Sequence, residues 1–440
     1  MTVDDAAGTA AKGSTRDLLR LVASGAAASR ADLARLSGLS PSTVSQRVES
    51  LIGDGWLREV GAGKSRGGRR PRQLEVPGDG GLIGAIDLGA HHARVATLDL
   101  SGRVVAVRSL AVEVNDGPEP VLGKLLDVVQ ELAASGPRAA VEPSGDGGPP
   151  GKGGGPANGG GPANGGGPAN GGGSANGGGS SDGGQPGDGG RGALLRGVGV
   201  GVPGPVEHSA GRIVSPSRMP GWNGFDVYRF CSERLDVPIA VDNDANLMAL
   251  GEHRSAHAEL DHAVYVKAGS GIGAGVISAG QLHRGAQGSA GDISHCRVIT
   301  VEEPAPLCSC GNTGCLEAVA SGAALVTALS QRGIAVSSPA DVMRLVDHGD
   351  PHATAIVRAA GRAIGEILSV VVNFFNPQAV LIGGLLADCE PLLASMRAAL
   401  YERCLPLATQ TLLIERLSTG IDAGVLGAAQ MIIDRIVDVS

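Results

Sequence analysis

CSCGNTGCLE, residues 308–317, places three cysteines within eight positions of a chain that has only seven cysteines in 440 residues. In a reducing compartment such a cluster holds a metal more often than a disulfide. The stretch therefore reads as a loop stapled by an ion inside a larger body, and the rest of the chain has to supply that body. At 42% hydrophobic and 18% charged residues it is a globular chain long enough for two or three domains. Aromatics make up only 2%, so Ala, Val, Leu and Ile must build the cores.

The amino terminus, MTVDDAAGTA, is acidic and lacks the basic patch and apolar run of a secretory signal. The most apolar stretch, AIGEILSVVVNFF, contains Glu366 and stops at Asn376 and Pro377. It falls short of the roughly 18 residues of a membrane span. The expected location is the cytoplasm, with no membrane partner.

Charge is unevenly spread. Residues 14–76 carry eleven Lys/Arg against six Asp/Glu, whereas the whole chain has a net charge of −8. One basic module on an acidic body is the footprint of a protein of which one part meets nucleic acid. Within that module SRADLARLSG offers Ser29 as an N-cap, Asp32 three residues on, Leu33 and Leu36 on one face and a stop at Gly38. SPSTVSQRVESLI follows with Ser40 as cap, Pro41 at the first helical position and Val44, Val48, Leu51 and Ile52 as the buried stripe. The opposite face offers Ser42, Thr43, Gln46 and Arg47. Two short helices joined in this way are a helix-turn-helix, whose second helix reads base edges in the major groove. GWLREVGAGKSRGGRRPRQLEV then gives two short extended segments around a loop with Lys64, Arg66, Arg69, Arg70 and Arg72. This is a wing with a basic tip, suited to a narrow minor groove.

After Pro77 the pattern changes to three successive strands and a helix, PVLGKLLDVVQELAAS, with the first strand ending in Asp-x-Gly. Residues 142–191 are low in complexity. GGGPAN occurs three times from Gly153 and GGGSAN once, a composition too poor in apolar residues to offset its ordering entropy. We expect a disordered insertion in a surface loop of one continuing domain.

From residue 194 onward GVGVPGPVEHSAGRIVSPSRMPGW, VDNDANLMALGE, GSGIGAGVISAGQLHRGAQGSAGDISH, CSCGNTGCLE and NPQAVLIGG stand in order. Their succession resembles the ROK family of repressors and sugar kinases, in its winged-helix regulator branch. The resemblance implies a winged helix-turn-helix over 14–76 and an α/β actin-like, ribonuclease H-like ROK domain over 82–440. Its lobes would be 82–260 with the last helix 424–437, and 261–420.

Cys308, Cys310 and Cys315 with His295, thirteen residues before them, supply three sulfurs and one imidazole. That is a closed tetrahedral set for structural zinc, and the family resembles it position by position. Cys296 should point away. The resemblance further implies that Asn243, Asp244, Asp292, His295 and Glu317 line a hexose pocket. In family kinases the aspartate matching Asp244 is the base for the attacking hydroxyl; capping the helix ANLMALGEH is its alternative role.

Departures weigh against catalysis. Kinases of the family have D-x-G-G-T where this chain has Asp87-Leu88-Gly89-Ala90-His91. Ala90 adds a Cβ and His91 replaces a hydroxyl at the phosphate loop. Gly269, Gly271, Gly273, Gly383 and Gly384 remain permissive for ATP. Asp292 replaces the usual glutamate, and Ser217 and Arg218 stand near where kinases offer asparagine. The reading is a sugar-responsive transcriptional regulator acting as a homodimer or higher oligomer on double-stranded operator DNA, with a monosaccharide effector. The alternative is an ATP-dependent hexokinase.

Overall fold

The computed structural model describes residues 13–62, 72–135, 194–300 and 304–439. The expected wing tip, with Lys64, Arg66, Arg69 and Arg70, and the Gly-rich segment 142–191 lie outside the described residues.

Three helices open the chain: α1 (Thr15–Ala23), α2 (Arg30–Ser37) and α3 (Pro41–Gly53). Each begins where a serine hydroxyl accepts a backbone N–H, at Ser14, Ser29 and Ser40. α2 stops at Gly38 in the left-handed conformation, φ 72°. Val44, Val48 and Leu51 are buried as the spacing requires, but Leu36 is 41% exposed. An eight-residue helix has one turn in contact with the core, and Leu33 fills it. β1 (Arg58–Ala62) and β2 (Arg72–Glu75) then pair antiparallel, with Glu59 opposite Leu74. Arg30 fastens this module by donating to Glu49 at 2.7 Å and Glu59 at 2.8 Å.

The body contains two five-stranded sheets with the same plan. In the first, β3 (Leu82–Leu88), β4 (His92–Asp99) and β5 (Val104–Ala111) form an antiparallel meander, which α4 (Pro118–Ala134) follows. β6 (Leu195–Val202) and β9 (Ile239–Asn243) extend that sheet as parallel strands, giving the order β5-β4-β3-β6-β9. Between these two lie the small hairpin β7 (Val206–Glu207) and β8 (Arg212–Ile213) and the helix α5 (Val227–Ser232). After α6 (Asp244–Ala256), the second sheet repeats the scheme with β10 (Ala263–Ala268), β11 (Ile272–Ser278) and β12 (Gln281–His283). Four helices follow, α7 (Leu316–Ala320), α8 (Gly322–Ser330), α9 (Pro339–Asp347) and α10 (Pro351–Phe375). The parallel strands β13 (Ala379–Gly383) and β14 (Leu413–Arg416), separated by α11 (Glu390–Arg403) and α12 (Pro406–Thr409), complete the order β12-β11-β10-β13-β14. The carboxyl ends of β3, β9, β10 and β13 carry Asp87, Asn243, Lys267 and Gly383, the side on which open α/β sheets bind ligands.

The last helix, α13 (Ala423–Val439), returns to the first sheet and crosses α6 at backbone contact. A Cβ at Gly427 would fall 1.8 Å from the Leu247 carbonyl oxygen, and one at Gly251 would fall 2.0 Å from that of Ala423. Gly427→Ala should therefore force the helices apart and destabilise the protein by about 3 kcal/mol, the upper end of overpacking costs, read as a lower urea midpoint at unchanged slope.

α13 also receives the amino-terminal module. Leu18, Val48 and Trp56 share one buried cluster with Val425, Ile432 and Val437. Beside it Asp434 is ion-paired with Arg20 at 2.9 Å and Arg254 at 2.6 Å, and Asp438 with Arg16 at 3.0 Å. Among the described residues no helix is long and apolar enough to cross a membrane.

Candidate functional site

The cysteine turn is shaped before any ion is considered. Cys308 donates its N–H to Asn312 O at 2.7 Å, and Gly311 and Gly314 hold φ values of 92° and 70° that a side chain would strain. Leu316 N donates to Cys296 O and Glu317 N to Ser294 O, both at 2.9 Å, fastening the start of α7 to the segment that carries His295. The result brings together one ligand atom each from His295, Cys308, Cys310 and Cys315, all within 4.8 Å of one another. Cys310 Sγ and Cys315 Sγ are 3.7 Å apart, as are Cys308 Sγ and His295 Nδ1. That is far beyond a disulfide bond of about 2.05 Å. It matches the spacing of about 3.8 Å that tetrahedral ligation with metal–sulfur bonds of about 2.3 Å imposes. The Asn312 backbone N–H, with smaller help from neighbouring thiols and His295, lowers the Cys310 thiol to about 7. Burial pushes Cys315 up to about 12. The donor set and its spacing fit a soft or borderline dication. Cys296 is exposed and stands outside the cluster.

Glu317 follows the last cysteine by two positions and is buried. Its Oε2 accepts from Ile272 N at 2.7 Å, and its Oε1 is ion-paired with Arg218. A Cβ at Gly271 would come within 3.1 Å of Glu317 Oε1, and one at Gly273 within 3.1 Å of Ala245 Cβ. Those two glycines, two positions apart, thus place Glu317 and the amino end of α6 beside the same short segment.

At that end Asn243, not Asp244, caps the helix. Asn243 Oδ1 accepts from Ala245 N at 2.9 Å and Asn246 N at 3.3 Å, while its amide donates to Gly204 O at 2.9 Å. The capping role considered for Asp244 is corrected accordingly. Asp244 instead accepts from Lys267 Nζ at 2.9 Å through Oδ2 and from Ala245 N at 2.9 Å through Oδ1. Lys267 Nζ also lies 3.6 Å from Asp87 Oδ1. Burial alone would lower the Lys267 ammonium, but the Asp244 and Asp87 carboxylates outweigh it and keep it charged well above its ordinary range. Asp292 is exposed and accepts from the Ser294 hydroxyl; His295 is half-buried.

The phosphate-loop residues have largely other occupants. His91, expected to stand in for a hydroxyl there, turns outward to Glu113 at 2.7 Å. The neighbouring His92 instead lays its ring against Gly89, where a Cβ would fall 2.6 Å from His92 Cε1. Burial, then the Lys267 charge, lowers the His92 imidazole. Asp87 rests on the first turn of α13, where a Cβ at Gly424 would fall 2.2 Å from its Oδ2. Gly383 packs against Leu417 and Met248, and Gly384 sits at φ +84° against Ala268 O. Of the six candidate nucleotide glycines, Gly269 has the loosest surroundings: an added Cβ would meet only Gly271 O, at 3.9 Å.

On α3, Ser42 and Gln46 are exposed and Thr43 and Arg47 are half-buried. The Ser42 and Thr43 hydroxyls lie 2.8 Å from Ser40 Oγ, within the helix cap. Arg47 is partly withdrawn, its Nη1 buried without a hydrogen-bond partner.

The model for the ROK family matches residues 190–435, and one described as winged helix-turn-helix DNA-binding matches residues 13–58. The xylose repressor of Bacillus subtilis (strain 168) is 28% identical over 423 residues, covering 96% of this chain and 95% of its own. The glucokinase of Halalkalibacterium halodurans is 31% identical over 254 residues, 54% of this chain and 76% of that enzyme. A crystal structure of a ROK family transcriptional regulator, a homologue of the E. coli MLC protein, superposes with a TM-score of 0.70 at 22% identity, covering 97% of this chain and 96% of that one. The fold is thus a winged helix-turn-helix joined to an actin-like ROK body.

Proposed function

The chain belongs to the ROK family, and we propose that within it this protein is a sugar-responsive DNA-binding repressor that holds a monosaccharide without phosphorylating it. The observation that carries the second half of this reading is the Lys267–Asp244 ion pair at 2.9 Å. A general base has to take up the proton it removes from the hydroxyl. The Lys267 ammonium 2.9 Å from Oδ2 favours the carboxylate over the acid and so opposes that uptake, against the burial that raises the Asp244 pKa. The His92 ring beside Gly89 fills space a phosphate would approach. ATP binding is correspondingly weakened.

Asn243, Asp244, Asp292, His295 and Glu317 are assigned to the sugar. Hydroxyl recognition by a buried acceptor such as Glu317 rejects a wrong sugar because the acceptor is then left unpaired. The Arg218–Glu317 pair has to open for a hydroxyl to reach Glu317. His295, Cys308, Cys310 and Cys315 would hold one zinc ion, which supplies a rigid cross-link between the 292–295 segment and the start of α7. With Nδ1 turned to Cys308, the other ring nitrogen of His295 is left for the sugar.

Ser42, Thr43, Gln46 and Arg47 are assigned to base edges, and Arg66, Arg69 and Arg70 to phosphates. Two chains paired about a two-fold axis would set their α3 helices about 34 Å apart on the operator. Such a protein works in the cytoplasm.

The kinase alternative rests on the glucokinase similarity and the retained Asp244. A coupled phosphorylation assay over hexoses, N-acetylhexosamines and pentoses separates the two. The expected result is turnover far below about 1 per second, the low end of ordinary enzymes, while at least one sugar raises Tm without ATP. Ordinary turnover on any of these sugars would replace the repressor reading with the kinase.

A further inference from the structure

The seam between the DNA-binding module and the body encloses a cleft of about 370 Å³, within the size range of small-molecule sites. It is distinct in its residues from the sugar site. Four arginines line it: Arg16 on α1, Arg254 on α6, Arg284 just after β12, and Arg435 on α13.

Their carboxylate partners are too few. Asp434 is shared between Arg254 at 2.6 Å, Arg20 at 2.9 Å and Arg16 at 3.8 Å; Arg20 has Asp17 as well, at 3.2 Å. Asp438 serves Arg16 at 3.0 Å and Asp242 serves Arg284 at 2.6 Å. Arg435 makes no ion pair among the described residues and only stacks over the Tyr228 ring at 5.2 Å. Burial dominates the titration of two groups at the cleft. Burial, with Arg20 and Arg16 against the pull of Asp434, lowers the Arg254 guanidinium to about 10. At His208, burial and then Arg284 lower the imidazole against the pull of Asp242. Ser209 and Gln281 add uncharged hydrogen-bonding groups to the lining.

We propose that this cleft is a second ligand site, which takes a small phosphate dianion, either free phosphate or the phosphate group of a phosphorylated metabolite. Guanidinium forks match phosphate oxygens two at a time, and the surplus of positive charge suits a compact anion. Because Arg16 belongs to the DNA-binding module while Arg254, Arg284 and Arg435 belong to the body, the occupant bridges the two. It therefore reports to the same seam that a sugar bound at the other end of α6 would disturb.

The test is thermal unfolding of the full-length chain in phosphate against chloride at matched ionic strength, for the native protein, Arg435→Ala and Arg435→Glu. Arg435 is exposed, so both variants keep the fold. Phosphate in large excess should raise the native Tm by about 3 °C or more. Arg435→Ala should lose most of that shift and Arg435→Glu all of it, each keeping its response to a neutral sugar. No shift in the native protein, or an equal shift in all three, overturns the proposal. A hexose 6-phosphate and its parent hexose form the second arm. If the phosphorylated sugar still acts on Arg435→Glu but not on Glu317→Gln, the phosphate sits in the sugar pocket and the seam site falls. An Arg435-dependent phosphate shift without any response to neutral sugars would instead uphold the seam site and remove the sugar reading.

Discussion

Cys310→Ser is expected to release one zinc ion per chain and to cost several kcal/mol of stability, from the roughly 10–16 kcal/mol with which closed cysteine-histidine sites hold zinc. Cys310 is exposed, so its substitution removes no packing. What it removes is one of four ligands, and with it the cross-link that holds Glu317 and His295 on one rigid support. Sugar binding should disappear together with the metal. The DNA-binding module shares its core with α13 rather than with the cysteine turn, so sugar-independent DNA binding should survive. Metal analysis of the purified variant, with Tm and sugar titration on the same sample, reads all of this. A zinc-free preparation with unchanged Tm and normal sugar binding would contradict the cross-link.

Lys267→Met should cost about 3–5 kcal/mol, the usual penalty for stranding a buried charge by removing its partner. Here two carboxylates lose one counter-ion: Asp244 at 2.9 Å and Asp87 at 3.6 Å. Asp87 is fixed within β3, and Asp244 is tied to the Ala245 N–H at the start of α6. The charge origin is checked by neutralising the acids as well. Lys267→Met combined with Asp244→Asn and Asp87→Asn should recover most of the loss, because uncharged groups of similar shape need no ammonium. A urea midpoint for Lys267→Met within about 1 kcal/mol of native, or no recovery in the triple variant, would show that the ion pair is not the organising feature of this site.

The contrast between the two predictions tracks what the sequence could reveal. The cysteine cluster was legible because its ligands are nearly contiguous and the chemistry is confined to few residue types. The winged module was legible because serine caps, Pro41 and Gly38 mark helix ends locally. Lys267 was not. In AVYVKAGSG it follows apolar residues at a strand end, where a lysine ordinarily reaches solvent, and its burial depends on Asp87, 180 positions earlier, arriving from another sheet. The same holds for His92: which of two adjacent histidines faces Gly89 follows from the register of β4 against β3, with Leu88 opposite Ala93, and one position of slip would exchange them. Asn243 displaced Asp244 as helix cap by a similar single-residue margin, set by where β9 ends. Leu36 and Arg47 were assigned to faces by periodicity. Helix length and neighbouring packing placed them otherwise, Leu36 toward solvent and Arg47 partly away from it.

The most direct test of the account is the affinity of the full-length protein for a DNA fragment carrying its operator, measured by fluorescence anisotropy with and without each sugar of the panel and with no ATP present. The account predicts that at least one neutral monosaccharide changes the operator Kd by about 5- to 150-fold, the span of ordinary allosteric coupling, and that Glu317→Gln abolishes the change while leaving the sugar-free Kd as it was. An operator Kd that stays the same for every sugar that raises Tm would contradict it.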